Sequence, residues 1–117
     1  MCKIYLAGGM TGIKNFGADA FIAAARLLRD QDHEVFSPLE ADIARGFDPW
    51  GKTGNEPLEQ FGFTRRDALA ADFAWITASA EAIAFLPGWE ASSGARAEHA
   101  VGQALGLAFL YLTQADL

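Results

Sequence analysis

The sequence predicts an α/β fold in which a parallel sheet of four or five strands carries helices on both faces. Short apolar runs, typical of buried parallel strands, alternate with segments in which apolar residues recur every three or four positions. The first three runs end at glycine, proline or serine. The 117 residues, 51% hydrophobic and 21% charged, suffice for one core and leave no room for a second. We therefore expect residues 1–117 to form a single Rossmann-like (flavodoxin-like) domain.

The first half of the chain is predicted to be a βαβ unit followed by a long loop. A strand at 3–7 breaks at a glycine loop, a helix spans 18–30, and a second strand at 34–36 ends at serine and proline. The glycine loop, residues 8–12, lacks the spacing of a dinucleotide-binding fingerprint. Segment 39–63 contains glycines that include Gly46, Gly51 and Gly54, two prolines and the aromatic residues Phe47, Trp50 and Phe61. We interpret it as a loop that either closes on a planar ligand or patches the core with its aromatic side chains.

The second half of the chain continues the alternation of predicted strands and helices. Thr64 is predicted to cap a helix that ends at Ser79, and a buried strand at 82–86 is closed by proline and glycine. A helix capped by serine then runs to Leu105, and the final strand spans 107–112.

Charge and cysteine content exclude several classes of function. Fifteen acidic residues against nine basic ones give a net charge of −6, which disfavours a nucleic-acid polymer as partner but allows a small anion in a local pocket. One cysteine excludes an internal disulfide, and two scattered histidines offer no metal-ligand spacing. No apolar run approaches the roughly 18 residues of a membrane span. We expect a soluble, cytoplasmic protein without metal or cofactor and without a membrane partner.

Glu98 is the first candidate for chemistry. It follows the serine cap by a few residues, so free amides at the helix start are expected to keep its carboxylate ionised, as a nucleophile requires. It also lies at the edge of the apolar stripe of the helix, which favours a pocket. The alternative is an ordinary helix-dipole or salt-bridge glutamate. The neighbouring His99 is about 100° away around the helix and is interpreted as structural.

Four further side chains accompany Glu98 as candidates. Asp72 interrupts an apolar helix surface and is predicted to be the second carboxylate, whereas Asp67 follows two arginines and is interpreted as a solvated ion-pair group. Tyr5, on the first strand, is either a satisfied core residue or a hydrogen-bond partner for a carboxylate above the sheet. Ser92 and Ser93 are predicted helix caps that can also hold a monophosphate.

These residues together resemble the nucleoside 2-deoxyribosyltransferase-like family, including its small phage and bacterial members. The likeness covers nearly the whole chain and is carried by residues 5–12, by 33–38, by Asp72 and by residues 86–99. The resemblance implies that Glu98 attacks C1′ of the sugar, that Asp72 handles the base and its proton, and that Tyr5 orients Glu98. It also implies a substrate-binding set composed of Gly8, Gly9, Met10, Gly88, Trp89, Ser92, Ser93 and Gly94.

The predicted function is cleavage or exchange of the N-glycosidic bond of a 2′-deoxynucleoside or its 5′-monophosphate. One alternative is a nucleotide phosphoribohydrolase, because Pro87-Gly88 and Glu98 follow the same order as the proline, glycine and glutamate of the loop in those enzymes, although their spacing differs. The other alternative is a catalytically silent nucleotide-binding module. A homodimer or higher homo-oligomer is also predicted, because the family assembles in this way and because Phe47, Trp50, Phe61 and Trp89 suggest exposed aromatic surface.

Overall fold

The structure, a computed structural model that describes residues 1–117, contains four strands: β1 (Lys3–Ala7), β2 (Glu34–Phe36), β3 (Ala82–Phe85) and β4 (Ala108–Tyr111). All pair in parallel, in the order β2-β1-β3-β4. In the central strand β1, Tyr5 pairs with Phe36 on one side and Ile83 on the other. The strand order reverses direction between β1 and β3, which is where open α/β sheets bind ligands.

Helices cover both faces of this sheet, as predicted. The helices are α1 (Ala18–Asp30), α2 (Pro38–Ala44), α3 (Arg65–Ser79) and α4 (Ser93–Leu105). Helix α1 packs on one face of the sheet, while α3 and α4 pack on the other. The Rossmann-like α/β arrangement is therefore confirmed. No helix combines the length and the apolar character needed to cross a membrane.

Segment 39–63 is not the continuous loop that the sequence suggests. Helix α2 begins at Pro38, a residue well suited to a first helical turn because it has no N–H to leave unpaired. Further along, Phe47 is only 3% exposed and makes edge-to-face contacts with Phe16 and Phe61. Trp50, in contrast, is exposed. Within this segment, Phe47 therefore packs into the core, whereas Trp50 lies at the surface.

The helix caps fix where α3 and α4 begin. Thr64 and Asp67 form a reciprocal capping box in which each side chain accepts the other residue's backbone N–H. Asp67 is solvent-exposed, as predicted, but its carboxylate is used in the cap and forms no salt bridge, so the ion-pair part of the interpretation is wrong. At α4, the hydroxyl of Ser92 accepts the backbone N–H of Ala95 at 3.2 Å, which confirms the predicted serine cap.

Candidate active site

A cavity of about 300 Å³ opens beyond the carboxyl end of β1. Seven of the residues predicted as catalytic or substrate-binding line it, namely Tyr5, Gly8, Met10, Asp72, Ser92, Gly94 and Glu98. Helices α2, α3 and α4 and the glycine loop after β1 contribute walls to the same space. Residues from distant parts of the chain therefore meet at the predicted edge of the sheet.

Tyr5 and Glu98 form the buried floor of the cavity. Tyr5 is fully buried in the middle of β1, and its phenol donates a hydrogen bond to Oε2 of Glu98 on α4. Glu98 itself is 5% exposed. Of the two roles that the sequence allowed for Tyr5, the carboxylate partner is therefore the one observed.

Asp72 reaches the cavity from α3. It is 6% exposed, and its Oδ1 is buried without any hydrogen-bond partner in the chain. The hydroxyl of Tyr5 is near enough to lower the pKa of Asp72. A buried carboxyl oxygen without a partner costs free energy, so its retention favours a ligand that supplies the missing hydrogen bond.

Burial is the largest cause of the pKa shifts of Glu98, Asp72 and Tyr5. It raises the pKa of Glu98 to about 8, helped by the negative charge of Asp72 and opposed by the Tyr5 hydrogen bond and by Arg65. Burial likewise raises the pKa of Asp72 to about 7, helped by Asp42. The pKa of Tyr5 is raised well above its usual range, first by burial and then by Glu98. Near neutral pH, the two carboxyls therefore hold protons that exposed carboxyls would have lost.

The expectation that helix amides keep Glu98 ionised is wrong for this structure. Glu98 is the sixth residue of α4, one turn beyond the free N–H groups at the start of the helix. The only hydrogen bond to its carboxylate comes from Tyr5. Burial therefore outweighs the helix dipole in setting its pKa.

Asp42 is a third buried carboxyl, which was not predicted from the sequence. It lies on α2, lines the cavity and is 5% exposed. Arg45 donates a hydrogen bond from Nη1 to its Oδ1 at 2.6 Å. Burial raises the pKa of Asp42 to about 6 although Arg45 opposes the shift. The spacing of an aspartate and an arginine by three residues suits an ion pair on a helix, but α2 was not predicted and the burial of Asp42 leaves no local signal.

Arg65 is the second residue that the sequence did not single out. It begins α3 and lines the cavity, and its Nη2 donates a hydrogen bond to Oγ of Ser93 at 2.9 Å. Ser93 does not line the cavity, whereas its neighbours Ser92 and Gly94 do. A guanidinium, a serine hydroxyl and the start of α4 thus lie at one side of the site.

The glycine loop is shaped by close packing. A Cβ at Gly8 would lie 2.6 Å from Cδ1 of Leu86, so only glycine fits where the loop leaves β1. Gly9 does not line the cavity, and a Cβ there would instead meet Cδ1 of Ile13 at 2.8 Å. Gly8 and Met10 are therefore the members of the predicted loop set that face the site.

Gly88 and Trp89, also predicted to bind substrate, lie outside the cavity. Trp89 packs on Phe85 and His99 and lies near Tyr111, beside the outer strand β4. The chain turns away from the site after β3, with Gly88 at a φ of 80° that favours glycine. In the structure, Trp89 is accordingly part of an aromatic cluster and not of the pocket. His99 belongs to the same cluster, as its structural interpretation predicts.

Phe16 enters the cavity wall through an unusual backbone conformation. Asn15 and Phe16 have φ values of 55° and 52°, in the left-handed region that non-glycine residues seldom adopt. The amide oxygen of Asn15 accepts the backbone N–H of Gly51 at 2.9 Å, which holds this segment against the long loop. Backbone strain of this kind commonly occurs at ligand sites.

Comparisons with known proteins give one match. No curated protein and no solved structure matches the chain significantly. No three histidine, cysteine, aspartate or glutamate side chains form a group that could hold a metal ion. The family model described as "Domain of unknown function (DUF4406)" matches residues 2–111. Because this match spans nearly the whole chain, the protein belongs to that family.

Proposed function

We propose that the protein cleaves or exchanges the N-glycosidic bond of 2′-deoxynucleosides or their 5′-monophosphates through a glycosyl intermediate on Glu98. The observation that carries this proposal is the buried Tyr5–Glu98 hydrogen bond with Asp72 in the wall of the same cavity. Two carboxyls with raised pKa values, in one cavity of about 300 Å³, suit retaining glycosyl transfer to or from a small planar base. The resemblance to nucleoside 2-deoxyribosyltransferase-like proteins supports the same assignment.

In the first step, an oxygen of ionised Glu98 forms a bond to C1′ while the bond between C1′ and the base nitrogen breaks. The electron pair of the broken bond goes to the base, and Asp72 donates the proton that neutralises it. Tyr5 holds the attacking carboxylate in place through its hydrogen bond. One carboxyl must be ionised and the other protonated. In the empty site the pKa of Glu98, about 8, exceeds that of Asp72, about 7, so a single proton of the pair resides mainly on Glu98, and the reactive form is the one in which this proton has passed to Asp72.

In the second step, water or another base attacks C1′ and releases Glu98. Asp72, now ionised, takes the proton from the incoming nucleophile, so each group returns to its starting state. Water gives hydrolysis, and a nitrogen of a second base gives base exchange. Both outcomes use the same three side chains.

Groups at the start of α4 support the 5′-monophosphate as the preferred form of substrate. Arg65, which is hydrogen-bonded to Ser93 at the start of α4, brings a positive charge to the cavity. The oxygen of the Ser92 hydroxyl caps the helix, which leaves its proton free to be donated to a ligand. Gly94 lines the cavity as well. Phosphate binds well where helix N–H groups and an arginine meet.

A cytoplasmic, homo-oligomeric protein remains part of the proposal. The single cysteine suits a reducing compartment. Of the four aromatic residues that the sequence suggested for an oligomer surface, Trp50 is exposed, whereas Phe47 is buried and Phe61 and Trp89 are half-buried. Leu105, Leu110 and Tyr111 are exposed as well, around the free edge of β4.

The decisive experiment incubates the purified protein with deoxynucleosides, ribonucleosides and their 5′-monophosphates and measures free base by chromatography. We expect base release from the deoxy substrates and its loss in Glu98→Gln, whose amide cannot attack as an anion. Glu90→Gln is the matched control, because Glu90 is exposed and outside the cavity. A sugar adduct on Glu98, detected by mass spectrometry, would identify the intermediate.

Other outcomes would replace the proposal. Release of base from ribonucleotides alone would indicate a phosphoribohydrolase. Binding without release from any substrate would indicate a silent nucleotide-binding module, and unchanged turnover in folded Glu98→Gln would refute the mechanism.

A further inference from the structure

We propose that Asp42 and Asp72 together select an amino-substituted base, one that carries an exocyclic amine beside a ring nitrogen, over its oxo counterpart. This inference rests on the proposed function and names the substrate class of the same site. Adenine and cytosine carry such an edge, whereas hypoxanthine and uracil carry a carbonyl oxygen in place of the amine. Asp42 would accept from the amine, and Asp72 would donate to the ring nitrogen.

The geometry that supports this pairing begins with Asp42. Its Oδ1 is bound by Arg45 at 2.6 Å, and its Oδ2 has no hydrogen-bond partner within the chain. A carboxylate held by an arginine is an acceptor at its second oxygen and has no proton to give. Asp42 lines the cavity and is 5% exposed, and its Oδ2 keeps contact with the solvent of the cavity, where a hydrogen-bond donor on a ligand can take the place of water.

Asp72 supplies the opposite character. Its buried Oδ1 also lacks a partner, and burial, helped by the charge of nearby Asp42, raises the pKa of the Asp72 carboxyl to about 7. Protonated Asp72 is a donor, and a ring nitrogen such as N7 of adenine is an acceptor next to the 6-amino group. One acceptor and one donor in the wall of the same cavity can thus pair with an amine and its neighbouring ring nitrogen.

An oxo base fits this arrangement poorly. In hypoxanthine the atom beside N7 is a carbonyl oxygen, which would face the oxygen of ionised Asp42 with no proton between them. Two acceptors in a buried site repel each other, and neither keeps its water. The same reasoning disfavours uracil relative to cytosine. Phe16, Pro38 and Leu58 line the cavity as well and offer apolar surface for a base of either kind, so the discrimination rests on the carboxyls.

The test measures binding, by calorimetry, in the Glu98→Gln protein so that turnover does not interfere. Deoxyadenosine is compared with deoxyinosine, and deoxycytidine with deoxyuridine. We expect the amino member of at least one pair to bind about tenfold or more tightly than its oxo partner, since one charge-assisted hydrogen bond is gained and one repulsion avoided. Equal binding of the amino and oxo members of both pairs would overturn the inference even if base release is observed.

Asp42→Asn, added to the same protein, should reduce the preference to about threefold or less, because an amide can offer N–H to a carbonyl oxygen. Asp48→Asn removes the same charge from an exposed residue outside the cavity and should leave the preference unchanged. If Asp42→Asn does not fold, the comparison of ligand pairs still decides. Amino-selective binding without base release would support the base assignment and overturn the catalytic proposal, whereas no binding of any of the four nucleosides would overturn both.

Discussion

Replacing Glu98 by glutamine should stabilise the protein at alkaline pH while abolishing its activity. Glu98 has an ordinary pKa of 4.5 in the unfolded chain and a pKa of about 8 in the folded one. Between these values, folding requires the carboxyl to take up a proton. The free energy of unfolding therefore falls as pH rises from about 5 to about 8, and a neutral amide removes this dependence.

The size of the effect follows from the shift. At about 1.36 kcal/mol per pKa unit, the change from 4.5 to about 8 corresponds to about 5 kcal/mol. Water in the open cavity solvates part of an ionised Glu98, so we expect Glu98→Gln to gain about 2–5 kcal/mol relative to the wild type between pH 5 and pH 8. At pH 5 both side chains are neutral and accept the same hydrogen bond from Tyr5, and the two proteins should differ little.

Urea unfolding at pH 5 and pH 8, followed by tryptophan fluorescence at one protein concentration, measures the difference. Glu90→Gln serves as control, since an exposed glutamate should show no such change. A Glu98→Gln protein whose stability relative to the wild type is the same at both pH values would refute the reasoning from burial.

Three further predictions concern the site and the assembly. The rate of base release should be greatest near pH 7–8, where the pair with pKa values of about 7 and about 8 carries one proton, and Asp72→Asn should lose the alkaline limb of the profile. A 5′-monophosphate should bind at least tenfold more tightly than the free nucleoside, and Arg65→Met should remove most of this gain while leaving nucleoside binding unchanged. Equal affinities in the wild type would show that Ser92 only caps the helix. Light scattering after size exclusion at micromolar concentration should give at least twice 12.6 kDa, and an active protein of 12.6 kDa would contradict oligomerisation.

The sheet and three of its helices could be predicted because each leaves a local signal. Runs such as Ala82–Phe85 are apolar at every position, as strands covered on both faces must be. Thr64 and Ser92 mark their helices by side-chain chemistry that acts within three residues. Helix α2 gives a weaker signal, because seven residues complete only two turns and a glycine-rich segment follows at once.

The predicted site residues line the cavity where position along a strand or helix fixes their direction, and lie outside it where a loop decides their place. Tyr5 points to the α4 face of β1 by strand alternation, and Glu98 lies on the buried stripe of α4. Trp89 follows β3 closely in sequence, but the turn at Gly88 carries it toward β4. Asp42 was missed for the same reason, since its place in the cavity depends on α2 and on contacts that no local pattern reveals.

The loss of protein stability at high pH and the rate that Glu98 would supply both depend on the ionised form of its carboxylate. An ionised carboxylate at this buried position is unfavourable while the site is empty, as the raised pKa of Glu98 expresses. Positive charge develops on the sugar as the bond to the base breaks, and a carboxylate beneath C1′ is then paired. In the proposed mechanism, the cost of ionising Glu98 would be recovered in the transition state and not in the resting protein, which is the condition for catalysis rather than tight substrate binding. It follows that the gain in stability and the loss of base release should appear together in Glu98→Gln, and a variant at this position that gained one without losing the other would separate them.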